Sequence, residues 1–152
     1  MPHLSAEIHD LENSDPSLTL IEPNVMRGVE IGPLHHPKVR KCDGDVWYAD
    51  FYSTNELRER YLKNATTRPH LDEIEDVDYV IKEQDSLWDV IGADGPFDYV
   101  VAAHVIEHIA NPLGWFQGLE RVLTDEDLSL VIPDRRFSFD VNRLETRPQD
   151  WV

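Results

Sequence analysis

From Val25 onward, apolar residues gather into short runs separated by polar segments. The runs cover 25–31 (VMRGVEI), 45–50 (DVWYAD), 77–81 (VDYVI), 97–103 (FDYVVAA) and 128–133 (LSLVIP). Each is short and rich in Val, Ile, Tyr or Trp, which predicts strands covered on both faces in a mostly parallel sheet. Between several of them the apolar spacing becomes helical. Ser53 and Glu56 stand three apart as a capping box ahead of Leu57, Tyr61 and Leu62. Asp85 or Ser86 can cap a second helix carrying Leu87, Trp88 and Ile91. Asn111 as cap and Pro112 at the first helical position open a third, with apolar residues at 113, 116, 119, 122 and 123. Gly114 and Gly118 weaken that third prediction. Residues 1–24 are polar, carry three prolines and lack a sustained period, so they read as an N-terminal arm before a domain spanning 25–152.

Strands alternating with helices predict an α/β fold: a Rossmann-like, three-layer, open and mostly parallel sheet with helices on both faces. In such sheets the ligand sits beyond the carboxyl ends of the strands. The residues there are therefore the candidates. Glu30 ends the first strand, and Gly32 follows it, where backbone can approach a ligand without a Cβ in the way. Leu34, His35 and His36 replace the further glycines of a full dinucleotide fingerprint. Asp50, twenty residues after Glu30, ends the second strand, where a carboxylate can accept from two ribose hydroxyls. Asp85, after the third, can accept from an exocyclic amine or cap the helix.

The fourth strand runs into AAHVIEH, residues 102–108, in which His104, Glu107 and His108 form an H-x-x-E-H pattern. In a zinc hydrolase, both imidazoles would lie one helical turn apart, with the glutamate as base beside the ion. Here the motif follows directly on a strand, and Asn111-Pro112 starts a new helix three residues later. The zinc hydrolase is thus a remote alternative, and no metal is expected.

Composition narrows the partners. Thirty acidic against fourteen basic residues give a net charge of −16, a field that repels nucleic acid and anionic membrane surfaces. The basic residues bunch as Lys38, Arg40 and Lys41, and as Arg135, Arg136, Arg143 and Arg147. A single cysteine, Cys42, excludes an intrachain disulfide. There is no cationic-then-apolar leader and no long apolar run, so a soluble, cytoplasmic protein is expected.

The segments GVEIGP, DVWYAD, FDYVVAAHVIEHIANP, LERVL and LSLVIPDRRFSFD together resemble the class I, Rossmann-like S-adenosylmethionine-dependent methyltransferases of the type 11 group, over about residues 25–143. The resemblance implies S-adenosylmethionine as cofactor and methyl transfer to a small-molecule or glycan-type acceptor. It implies that Glu30 and the backbone at Gly32 and Pro33 hold the amino-acid end of the cofactor, that Asp50 and Phe51 hold the ribose side, and that Asp85 meets the adenine. Ala103 and His104 would line the sulfonium side, with His104 the first candidate base and Glu107 and His108 the next. Asp134, Arg135 and Arg136 would stand at the same rim, and Leu123 would close the third helix.

The chain also departs from the pattern. The first motif keeps one glycine of three, and TDED at 124–127 stands where a glycine-rich turn is usual. Five strands are found where the resembled sheet has seven, so the domain is expected to be C-terminally incomplete. An exposed last strand then invites pairing into a homodimer. A catalytically silent S-adenosylmethionine-binding domain is the alternative function.

Overall fold

The computed structural model describes residues 15–82, 85–134, 136 and 147. The five apolar runs supply five strands: β1 (Arg27–Ile31), β2 (Asp45–Asp50), β3 (Tyr79–Val80), β4 (Phe97–Ala103) and β5 (Leu123–Val131). They form one sheet in the order β3-β2-β1-β4-β5, and every neighbouring pair is parallel. This is the Rossmann-like strand order, in which the direction of winding reverses between β1 and β4.

Alternating side chains divide into two cores. One face carries Val29, Ile31, Ala49, Val100 and Ala102 against Leu87, Ile91, Leu119 and Val122. Those four come from α2 (Leu87–Ile91) and α3 (Pro112–Val122), which follow α1 (Thr54–Tyr61) in the chain. The opposite face carries Val46, Tyr48, Tyr99 and Val101 against Ile21 and Val39. Ile21 lies within the polar lead-in yet is buried. Just before it a 3-10 turn, Pro16–Leu18, rests on β5, where the Ser129 hydroxyl donates to the Ser17 carbonyl at 2.6 Å. Gly28 pairs with Tyr99, and a Cβ there would lie 2.1 Å from the tyrosine ring. A side chain at 28 would therefore displace a fully buried aromatic.

The helix starts follow their caps. Ser53 and Glu56 bond reciprocally as a capping box, and the Asn111 side chain accepts from Gly114 N–H at 2.9 Å. For α2 the cap is Ser86, which accepts from Asp89 N–H, while Asp85 accepts from Lys82 N–H one turn earlier. No helix forms between β1 and β2, where residues 32–44 cross in turns. Among the described residues no helix is long and apolar enough to cross a membrane.

β5 begins five residues before the predicted run, directly at the end of α3. Leu123 is at once the helix C-cap and the first strand residue. Four steps along β5, from Leu123 to Asp127, oppose two along β4, from Phe97 to Tyr99. TDED is thus absorbed as an irregularity of the ladder instead of forming a turn. The Thr124 hydroxyl ties it down by donating to the Phe97 carbonyl at 3.2 Å. Among the described residues β5 is one edge of the sheet and β3 the other.

Candidate functional site

Gly32 stands at the meeting point of three strand tips. Its φ of +70° is left-handed, which glycine adopts without cost. Its N–H donates to the Ala49 carbonyl at the tip of β2 at 2.8 Å. On the other side, a Cβ on Gly32 would lie at ordinary contact distance, 3.5 Å, from Val105 just beyond β4. It is the backbone conformation, not lack of space, that calls for glycine here. The register Ile31↔Ala102 sets Gly32 beside Ala103 at the point where the strand order reverses.

Across that crevice His104 is also left-handed, at φ +57°. For histidine this is a sparsely populated conformation, and such outliers gather at functional sites. The turn is fixed by its N–H, which donates to the Val131 carbonyl at 2.8 Å. The side chain is left 62% exposed, with Nδ1 3.7 Å from Glu107 Oε1. HVIEH then closes as a three-residue 3-10 turn, Ile106–His108. The zinc-hydrolase alternative needs a helical turn joining His104 to His108, and a left-handed His104 followed by a 3-10 turn does not supply one. His108 ends that turn and is exposed, with its N–H bonded to the Val105 carbonyl.

Asp50 ends β2 at 9% exposure and accepts from Tyr52 N–H at 3.1 Å. Burial raises its pKa against the opposing pull of the Tyr52 and Phe51 amides. These two amides use a fraction of a carboxylate's roughly four acceptor positions, so capacity remains for further donors. Phe51 beside it is partly exposed, and a shallow hollow lined by Tyr52, Glu56, Glu59 and Arg60 adjoins it. Asp50 and Glu30 lie on the same face of the sheet, since Glu30 pairs with Tyr48 two residues before Asp50.

Glu30 itself is turned inward. It is 2% exposed, and its carboxylate accepts from Lys38 N–H at 2.8 and 2.9 Å and from Val39 N–H at 3.0 Å. Burial lifts its pKa to about 7, with the two amides pulling the other way. Its oxygens shape the loop after Gly32 and do not open onto the crevice. That loop carries Pro33, which is buried, and Leu34, left-handed at φ +51°. Asp85 is half-buried after β3, with one oxygen bonded to Lys82 N–H.

Lys38, Arg40, Lys41 and Arg136 of the basic clusters each pair with an acidic neighbour. Lys38 pairs with Asp15 at 2.7 Å, Arg40 with Asp43 at 2.8 Å and Lys41 with Asp78 at 2.8 Å. Arg136 Nε lies 3.0 Å from Asp134 Oδ1. Arg135, Arg143 and the FSFD stretch lie outside the described residues.

Gly32, Asp50, Ala103 and His104 are therefore brought to neighbouring tips of β1, β2 and β4, with Glu30 beneath them. Val105, the left-handed backbone at His104 and the amides that hold Glu30 carry no signal in residue type or spacing.

No protein-family model and no curated protein matches the sequence. Solved structures similar to it include two methyltransferases. One is the CurJ carbon methyltransferase, 12% identical with a TM-score of 0.42, over 82% of this chain and 32% of that one. The other is a SAM-dependent methyltransferase from Aquifex aeolicus, 15% identical with a TM-score of 0.46, over 95% of this chain and 79% of that one. The chain thus spans about a third of the first and about four fifths of the second.

Proposed function

We propose that the chain binds S-adenosylmethionine at the β1/β4 reversal and transfers its methyl group to a small-molecule or glycan-type acceptor. The observation that supports this most is the pair of left-handed residues, Gly32 and His104, facing each other across the reversal, with Asp50 at the adjoining tip. An exposed glycine backbone and a carboxylate with spare acceptor capacity suit the amino-acid and ribose portions of the cofactor. When bound, S-adenosylmethionine supplies an already activated methyl group. The protein's share is then alignment and, for a hydroxyl acceptor, a base. Gly32 admits the ligand, Asp50 fixes its rotation, and His104 receives the acceptor's proton on its exposed ring. Glu107, 3.7 Å from His104 Nδ1, orients that ring and offsets its charge once protonated.

One observation favours the silent binding domain as a second function. Because residues 32–44 form no helix, no helix N-terminus faces the carboxylate end of the ligand. Titration calorimetry with S-adenosylhomocysteine tests the site. Asp50→Ala should weaken binding by on the order of 1.5–3 kcal/mol for each hydrogen bond lost to a charged acceptor. Unchanged affinity removes Asp50 from the site. A methyl-transfer assay over pooled acceptors then separates catalyst from binder.

A further inference from the structure

Three histidines meet where the loop after β1 touches the 3-10 turn Arg68–Glu73, away from His104. The His35 and His70 rings stack, with centroids 4.9 Å apart and planes 9° from parallel, and His36 lies 5.1 Å from His35. Stacked planes do not let both rings point nitrogens at one metal ion, so the trio is not a chelate. What it does is join two segments. Loop and turn are otherwise linked next to the stack by Glu75 N–H, which donates to the Leu34 carbonyl at 3.0 Å.

His35 Nδ1 is buried and has no hydrogen-bond partner. In a doubly protonated imidazole both nitrogens carry protons, whichever neutral tautomer it started from. Protonating His35 therefore creates a cation with a buried N–H that no acceptor meets, at a substantial free-energy cost. The charged neighbours reinforce this. His36 faces it from its own loop, and His70 and Glu73 face it from the turn. Glu73 lies 3.1 Å from His70 Nδ1, on the ring that stacks against His35. Burial first, then the two histidines, hold His35 below the ordinary histidine range, with Glu73 opposing. The loop is also conformationally loaded, because Leu34 is left-handed without being glycine.

We infer that His35, His36 and His70 form a proton-operated clasp that holds the Gly32–Lys38 loop on the Arg68–Glu73 turn when His35 is neutral and releases it in mild acid. The loop carries Gly32, so release would also open one wall of the crevice. That consequence rests on the proposed function, while the clasp does not.

The test needs no ligand, so its failure is distinct from failure of the cofactor site. Hydrogen exchange at the Glu75 amide, corrected for intrinsic rate, reads closure directly, and imidazole NMR reads His35 titration. The expected result is that His35 gains its proton below the ordinary range, and that Glu75 protection falls about tenfold for each unit of that depression across the same pH interval. In His70→Phe, which keeps a flat ring and removes a charge, and in His36→Gln, the depression of His35 should shrink and the fall in protection should be correspondingly smaller. Urea midpoints at pH 8 show whether each variant is folded, and the wild-type titration stands if either is not. A His35 that titrates in the ordinary range, or Glu75 protection that does not change between pH 8 and pH 5, overturns the clasp.

Discussion

Glu30→Gln isolates a single buried proton. Glu30 is enclosed beneath the loop, and its pKa rises from 4.5 to about 7 because burial disfavours the carboxylate more than the Lys38 and Val39 amides favour it. The folded protein thus binds this proton more tightly than the unfolded chain does. The associated stability is fully present below about pH 4.5, declines as pH rises towards 7, and is gone above that. At 1.36 kcal/mol for each pKa unit, the difference is about 3 kcal/mol. Glutamine can accept the same amide hydrogens but carries no charge at any pH. Its NH2 group adds a constant offset of about 1–3 kcal/mol if it finds no acceptor. The informative quantity is therefore the change with pH of the stability difference between variant and wild type. Other titrating groups, such as Asp50 with its raised pKa and Asp15 held at about 2 by Lys38, are common to both proteins and cancel. Urea unfolding followed by tryptophan fluorescence, at intervals from pH 4.5 to 8, should show the Gln variant gaining about 3 kcal/mol on the wild type. A difference that stays flat within about 1 kcal/mol would mean that Glu30 is solvated or already ionised, and the account of the loop would fail.

Gly32→Ala should cost roughly 1–2 kcal/mol, the left-handed penalty alone, since its Cβ meets Val105 at ordinary distance; a denaturant midpoint unchanged from wild type would deny that conformation. His104→Ala should leave stability within about 0.5 kcal/mol, because the side chain is mostly exposed. It should lower transfer about 10²–10⁴-fold while S-adenosylhomocysteine affinity persists, and parallel losses of affinity and rate would make His104 a binding group instead. Ser53→Ala removes the hydroxyl that accepts from Glu56 N–H, the half of the capping box on α1 that needs the serine side chain, and should destabilise by about 1 kcal/mol, measured by thermal melting.

The strands nearest the middle of the sheet were legible because burial on both faces leaves nearly unbroken runs of β-branched and aromatic residues. β2 and β4 match their runs residue for residue. The edges were not so plain. VDYVI reads as five strand residues, yet only Tyr79 and Val80 pair. Before them the Asp78 carboxylate takes the Tyr48 N–H at 2.7 Å, so a side chain substitutes for the ladder. At the other edge TDED has no strand propensity, and its pairing with β4 depends on a bulge whose origin lies in where α3 stops.

The same division runs through the site. The positions of Gly32 and Asp50 at strand ends could be read from sequence because a strand's end is defined locally. The direction of Glu30 could not, since it depends on residues 38 and 39 returning their amides beneath the sheet eight and nine positions later. His104 carries no local mark of a positive φ, which arises because its N–H must reach Val131 on the neighbouring strand. Likewise His35 and His70 share no periodicity. They meet only because the β1–β2 crossover forms no helix, leaving a loop free to lie against the turn before β3. The absent crossover helix thus has two effects. Under the proposed function it withholds a helix dipole from the ligand's carboxylate end, and it leaves the loop beside that end to be held by the His35–His70 stack. Binding at this site should therefore depend more on pH than in a sheet whose first crossover is helical.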